Sequence, residues 1–390
     1  MKSPRGWTVV LLVALAAAVG HAFGRFSYGI LLPAVRDDMG ITNAIAGSIS
    51  AANVSAYLLG TVAVAWATSR YKLISVMRLG LALVTMGLLM ASFSKGPWSL
   101  AAGLFLTGIG GAFLWIPSPV IAADALPTEK RHLAVGWLGS GVGLGIMFAS
   151  VVAGVLRSSE GDSSWSSVYR IQFLVGLILL ALVLILIRHR QDVPSGAAGL
   201  GGFTALRRMP GWLPLILAYS TFGFINLLVV GFLTTRLEDD SGWSTVDAAF
   251  AFSLMGLGGI FGGPIFVAFA KRLGIRSTLA MAFGCWPILL WVVMLGLSTP
   301  VLLACLGLGL LFSAFPMLIT LYVVENTTAE DYGPSFSAAT LAFGITQIIS
   351  PPFGGLLADF SGSFTIVFLV AALMGLLGLM ASLRLPSDLK

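Results

Sequence analysis

Twelve separate stretches of this sequence run for about 20 residues or more with almost no charge, and that pattern leaves few folds open. A helix needs about 20 apolar residues to cross the hydrocarbon core of a bilayer. Inside that core only helices and closed barrels satisfy their own backbone polar groups. The stretches cover residues 7–35, 44–68, 74–93, 98–123, 133–156 and 167–187, then 212–235, 246–270, 278–297, 300–324, 335–358 and 364–383. Only 10% of the 390 residues are charged, 57% are hydrophobic and the mean hydropathy is +0.97, whereas soluble domains carry about 25% charged residues. The expectation is an all-α integral membrane protein with twelve transmembrane helices.

Orientation follows from the basic residues. Sixteen of the 22 Lys and Arg residues fall at one set of segment ends, five at the other, and Arg25 lies inside the first segment. Cytoplasmic loops carry the excess of Lys and Arg, so both termini are expected in the cytoplasm. The net charge of +6 therefore reports topology and does not point to nucleic acid. Lys2 and Arg5 ahead of an apolar run resemble a cleavable signal, but apolar character resumes after Arg25 and the topology needs this segment.

The two halves repeat. The stretch beginning at Gly29 aligns without gaps on the stretch beginning at Gly231, an offset of 202 that places Asp37 and Asp38 on Asp239 and Asp240, Gly40 on Gly242 and Thr42 on Ser244. The same offset carries Gly60 onto Gly262, Arg70 onto Arg272 and Ala112-Phe113 onto Ala314-Phe315. Six spans per half give both copies the same orientation, the parallel repeat of one large class of secondary transporters. The expected organisation is a six-helix bundle over 1–190, a flexible cytoplasmic linker over 191–210 and a second six-helix bundle over 211–390.

Over its whole length the chain resembles the major facilitator superfamily. The loop after the eighth segment, Gly263 through Lys271-Arg272-Leu273-Gly274-Ile275-Arg276, is similar to that family's loop signature, with Lys271 where an Asp is usual. The first copy, Gly60 through Arg70-Tyr71-Lys72, is more eroded. Ala123-Asp124 through Pro127-Thr128-Glu129-Lys130-Arg131 looks like its loop between helices 4 and 5, and Gly354-Gly355 through Asp359 like its ending of helix 11. Gly24-Arg25-Phe26, Tyr28 to Pro33 and Arg36 to Gly40 resemble the YbfB/YjiJ-like bacterial branch. The resemblance implies a multi-pass protein of the bacterial cytoplasmic (inner) membrane. Two departures count against a proton/drug antiporter: Leu104 stands where proton-coupled members carry Arg, and the Gly139–Gly145 run lacks the Pro of drug antiporters.

Other classes find little support. There is no Gly-Lys-Ser/Thr phosphate loop, and the Gly139–Gly145 run lacks dinucleotide-binding spacing. Close helix packing through small residues is the expected use of Gly139, Gly143, Gly141, Gly145, Gly258, Gly262, Gly259 and Gly263. Cys285 and Cys305 form no disulfide framework, and His21, His132 and His189 form no metal motif. No paired acids or nucleophile–base pair mark an intramembrane enzyme. No cofactor, metal or catalytic residue is expected.

Arg25 is the candidate centre. A charge near the middle of a spanning helix costs roughly 2.5–3.5 kcal/mol on insertion scales and marks pathways. His21, Arg25 and Tyr28 share one face of a regular α-helix. No buried Asp or Glu is available to Arg25 in the sequence, so an anionic ligand is expected, since a guanidinium suits a carboxylate through two parallel hydrogen bonds. The alternative is an Arg25 pinned by backbone carbonyls or a hydroxyl. Tyr28, Asn53, Tyr57, Trp115, Tyr219, Asn226 and Gln347 are the further substrate-binding candidates, with a kink expected at Trp115 before Pro117 and Pro119. An unperturbed imidazole changes charge near neutrality, so His21 is the proton candidate; the alternative is a histidine satisfied by a backbone carbonyl. The offset pairs Arg25 with Leu227 and His21 with Gly223, so the cationic face is not duplicated. The functional expectation is an alternating-access secondary transporter of a small organic anion, with or without protons, working as a monomer in the bilayer. A carrier or exporter of neutral or hydrophobic solutes is the alternative.

Overall fold

The computed structural model describes residues 5–187 and 202–386. Its twelve long apolar helices are named in chain order. The first half holds α1 (Gly6–Met39), α2 (Asn43–Thr68), α3 (Leu73–Ser92), α4 (Pro97–Asp124), α5 (Thr128–Glu160) and α6 (Asp162–Leu186). The second holds α7 (Trp212–Asp240), α8 (Thr245–Leu273), α9 (Ile275–Leu295), α10 (Ser298–Asn326), α11 (Glu330–Ser361) and α12 (Thr365–Leu383). No strand occurs among the described residues.

The repeat is a repeat of turn chemistry. Gly40 and Gly242 both take left-handed backbone, at φ 59° and 68°, a conformation glycine adopts without steric cost. Two residues later Thr42 accepts from Ile45 N at 3.3 Å and Ser244 from Asp247 N at 3.2 Å, each capping the first turn of the next helix. The expected kink is present: α4 breaks after Trp115 and resumes at Ser118 beyond Pro117. Part of the linker is ordered, because Phe203–Arg208 forms a short helix with Ala205 and Leu206 buried. Linker residues 191–201, with Arg188 and Arg190, lie outside the described residues.

Across the two halves α5 packs on α8, α2 on α11 and α1 on α7. Glycines let these backbones meet. A Cβ at Gly29 would stand 2.1 Å from Val230 O, one at Gly47 2.2 Å from Pro351 O, and one at Gly355 2.1 Å from Asn43 O. Among the glycines expected to pack closely, Gly141, Gly143, Gly145, Gly258 and Gly262 do so, whereas Gly139 faces open space and Gly259 and Gly263 meet nothing nearer than 3.8 Å. The sequence spacing could not tell a packed helix face from a free one.

The halves are tied at one end. Arg36 reaches Asp239, with Nη2 3.2 Å from Oδ1. Arg157 clasps Glu238 with two bonds of 2.7 and 2.8 Å, and Asp359 accepts from Asn43 N at 3.0 Å and Ala44 N at 2.9 Å. Thr234 donates to Gly29 O at 2.6 Å. The offset of 202 places Arg36 on Glu238 and Arg157 on Asp359, so the equivalent positions of the two copies carry opposite charges. A strict duplication would have set like charges against each other. These cross-half bonds lie between the middle of the bundle and the end where α1 finishes.

The Arg157 and Glu238 side chains are 3% and 12% exposed, a setting in which close charge pairs couple by about 1.5 kcal/mol or more. Glu238→Gln is expected to weaken closure of this end. A double-mutant cycle with Arg157→Gln, read as the open fraction from spin-label distances, should be non-additive. Additive effects would show that the pair contributes nothing to closure.

Candidate functional site

The middle of α1 is not a regular α-helix. Ala18–Phe26 is a nine-residue π-helical stretch, closed by the bond from Ser27 N to Ala22 O, five residues back. Such wider turns are frequent at functional sites, and this one contains both His21 and Arg25. Asn53 Nδ2, 2.9 Å away, and the Thr107 hydroxyl, 2.8 Å away, donate to the Gly24 carbonyl. Gln172 donates to Ser27 from α6. These contacts hold the stretch from three neighbouring helices.

Arg25 crosses to the other half. Its Nη2 donates to Gln347 Oε1 on α11 at 2.5 Å, while its Nε is buried with no partner among the described residues. The guanidinium carbon lies 5.7 Å from the ring centres of Phe26 and of Tyr57, within range of cation–π attraction. His21 stacks on Trp115 at 4.4 Å and 22°, with Tyr57 edge-on at 5.7 Å. Phe26 meets Phe312 of α10 edge-on at 5.2 Å. From the other half, Tyr219 stacks on Phe343 at 4.4 Å and 17°. Arg25 therefore joins the aromatic cluster of the first half to α11 of the second, where Phe343 lies one turn before Gln347.

The sequence candidates separate into two groups. His21, Arg25, Tyr57, Trp115 and Gln347 are joined by these contacts, and Tyr219 meets Phe343, one turn before Gln347. Tyr28 turns away, its buried hydroxyl donating to Ala46 O at 2.9 Å. Asn53 also faces inward, its amide 2.8 Å from Leu104 O as well as bound to Gly24 O. Inside the π stretch the turn is wider than the α-helical spacing assumes, so Arg25 and Tyr28 end on different sides. Asn226 is 4% exposed and its Oδ1 is buried without a partner among the described residues. An unmade hydrogen bond of that kind costs about 1–3 kcal/mol. Phe26, Phe312 and Phe343 were not singled out from the sequence. Phe343 precedes Gln347 by four residues, so helical spacing from a polar residue in an apolar run was the available signal.

Comparison with known proteins agrees with this architecture. The gentisate transporter of Corynebacterium glutamicum is 23% identical over 376 residues, covering 92% of this chain and 83% of that protein. The probable 4-methylmuconolactone transporter of Cupriavidus pinatubonensis is 24% identical, covering 91% and 86%. The crystal structure of a bacterial homologue of the human lysosomal transporter Spinster superposes with a TM-score of 0.75 at 15% identity, covering all of both chains. A sequence profile described as the Major Facilitator Superfamily matches residues 14–333. With twelve long apolar helices and this match over most of its length, the chain belongs to the Major Facilitator Superfamily.

Proposed function

We propose that this protein is a secondary transporter for small organic anions, with aromatic carboxylates as the substrate class, moved by alternating access of the space around Arg25. The observation that carries this reading is the mid-bundle guanidinium, whose hydrogen bond among the described residues goes to a neutral amide and which lies 5.7 Å from the Phe26 and Tyr57 ring centres. A carboxylate would supply the two acceptors that Nη2 and Nε require, and the Tyr219–Phe343 and His21–Trp115 stacks would receive the ring. The gentisate and 4-methylmuconolactone transporters support the same class. Tyr28 and Asn53 serve in this reading as braces of α1. Asn226 offers its free acceptor to a hydroxyl of the substrate. Both termini are cytoplasmic by the loop charges, which sets the tied end outside and makes the arrangement inward-facing.

A thermal-shift screen of the purified protein against benzoate, gentisate, benzylamine, benzamide and glucose tests the substrate class. Stabilisation by the carboxylates is expected. Stabilisation by benzylamine or glucose alone would move the reading to the drug-type or neutral-solute carrier.

His21, one turn from Arg25, is the proposed proton site. An anion bound at Arg25 would stand close to His21 and favour a proton there, so anion and proton would bind together. An interior-negative potential of about 100 mV opposes entry of one negative charge by about 2.3 kcal/mol, so accumulation needs at least one proton per charge. Uptake against pH should lose its dependence in His21→Gln. An unchanged profile would make His21 a packing residue.

A further inference from the structure

We infer that Gln347 is a stand-in for the substrate's carboxylate, and that its displacement from Arg25 releases the two halves at the middle of the bundle. The inference rests on the proposed anion site and adds a positioning role for one residue. Gln347 is 322 residues from Arg25 in sequence and lies on the opposite half. Among the described residues their bond is the cross-half hydrogen bond at mid-bundle, while the others gather at the tied end. A carboxamide oxygen offers the same planar acceptor as a carboxylate oxygen but no charge. It occupies one prong of the guanidinium and leaves Nε unpartnered. A carboxylate satisfies both prongs, and its charge-assisted bonds are about twice as strong as neutral ones. The amide is therefore strong enough to hold an empty site and weak enough to yield to substrate.

The residue type fits the task. Glutamate at 347 would bind Arg25 as a permanent counter-ion and exclude the anion. An apolar residue would leave a buried cation without a partner, the costly case.

Both partners also sit where their helix is easily deformed. Arg25 lies in the π stretch. Pro351 and Pro352 lie inside α11, and Pro351 is four residues beyond Gln347. Proline has no N–H, so the carbonyl of Gln347 loses its helical donor. The Pro351 carbonyl itself packs against Gly47 of α2 across the halves. Freeing the Gln347 side chain thus loosens α11 next to a contact that closes the tied end. Substrate binding in the centre is linked by this route to opening of that end.

The test is calorimetric binding of benzoate and gentisate to the purified full-length protein, with benzamide as the neutral control. A place-holder competes with substrate, so Gln347→Ala should bind the carboxylates more tightly, by roughly tenfold. Gln347→Glu should lose carboxylate binding by about 100-fold or more while melting no lower than the wild type. Weaker carboxylate binding in Gln347→Ala, with the wild type binding, would make Gln347 a direct ligand and overturn the inference alone. A wild type that binds neither carboxylate overturns it together with the proposed substrate class. If Gln347→Ala does not fold, Gln347→Glu decides: retained carboxylate binding there contradicts the displacement.

Discussion

Arg25→Gln is expected to lose about 30-fold or more in affinity for aromatic carboxylates while folding normally. Truncating one partner of a buried charge-assisted pair costs about 2–5 kcal/mol, and each 1.4 kcal/mol is tenfold. Stability should not fall. Removing a charge from a spanning helix relieves roughly 2.5–3.5 kcal/mol on insertion scales. Arg25→Lys separates charge from geometry. Lysine keeps the cation but loses the planar fork, so an intermediate loss of about tenfold is expected. Equal affinity in Arg25→Lys and wild type would show that charge alone recruits the ligand. Isothermal calorimetry with gentisate reads all three proteins.

Two glycine substitutions with the same local clash should have opposite consequences. At Gly47 a new Cβ would stand 2.2 Å from Pro351 O, and at Gly309 2.0 Å from Met255 O. Neither backbone neighbour can yield by rotating a side chain. The Gly309 contact joins α10 to α8 inside one half, so Gly309→Leu should destabilise the half itself and yield little folded protein. The Gly47 contact joins α2 to α11 across the halves, so Gly47→Leu leaves each half intact and opposes closure of the tied end. Spin labels on the exposed Ser163 and Thr299, in a Cys285→Ser background, report the difference. Wild type should give a short distance, and Gly47→Leu a longer one in at least about tenfold excess over the closed form. A single short distance in folded Gly47→Leu would show that the contact is dispensable for closure.

Much of the scaffold was legible because it rests on local chemistry. Gly40, Gly242, Thr42 and Ser244 announced their turns and caps by residue type, and the duplicated offset counted the helices independently of hydropathy. Arg25 was legible because one charge in an apolar run is conspicuous. Its partner was not, since a glutamine 322 residues away carries no sign of whom it meets. The π stretch was hidden for a related reason: helical periodicity assumes a regular turn, and the side chains bonded at and beside this one, Asn53, Thr107 and Gln172, sit on other helices. Tyr28 and Asn53 show the same limit from another side. A buried polar residue must be satisfied, but its sequence position does not say whether a pocket or a backbone carbonyl does so. The charge inversion between Arg36 and Glu238, and between Arg157 and Asp359, was written in the aligned halves, but acquired meaning only when the structure set those ends against each other.

The most direct test of the central claim is counterflow of radiolabelled gentisate into proteoliposomes preloaded with unlabelled gentisate. The account predicts saturable, wild-type-dependent accumulation that benzoate inhibits, benzamide does not, and Arg25→Gln abolishes. Counterflow that persists in Arg25→Gln, or that benzamide blocks as well as benzoate does, would contradict an anion site built on Arg25.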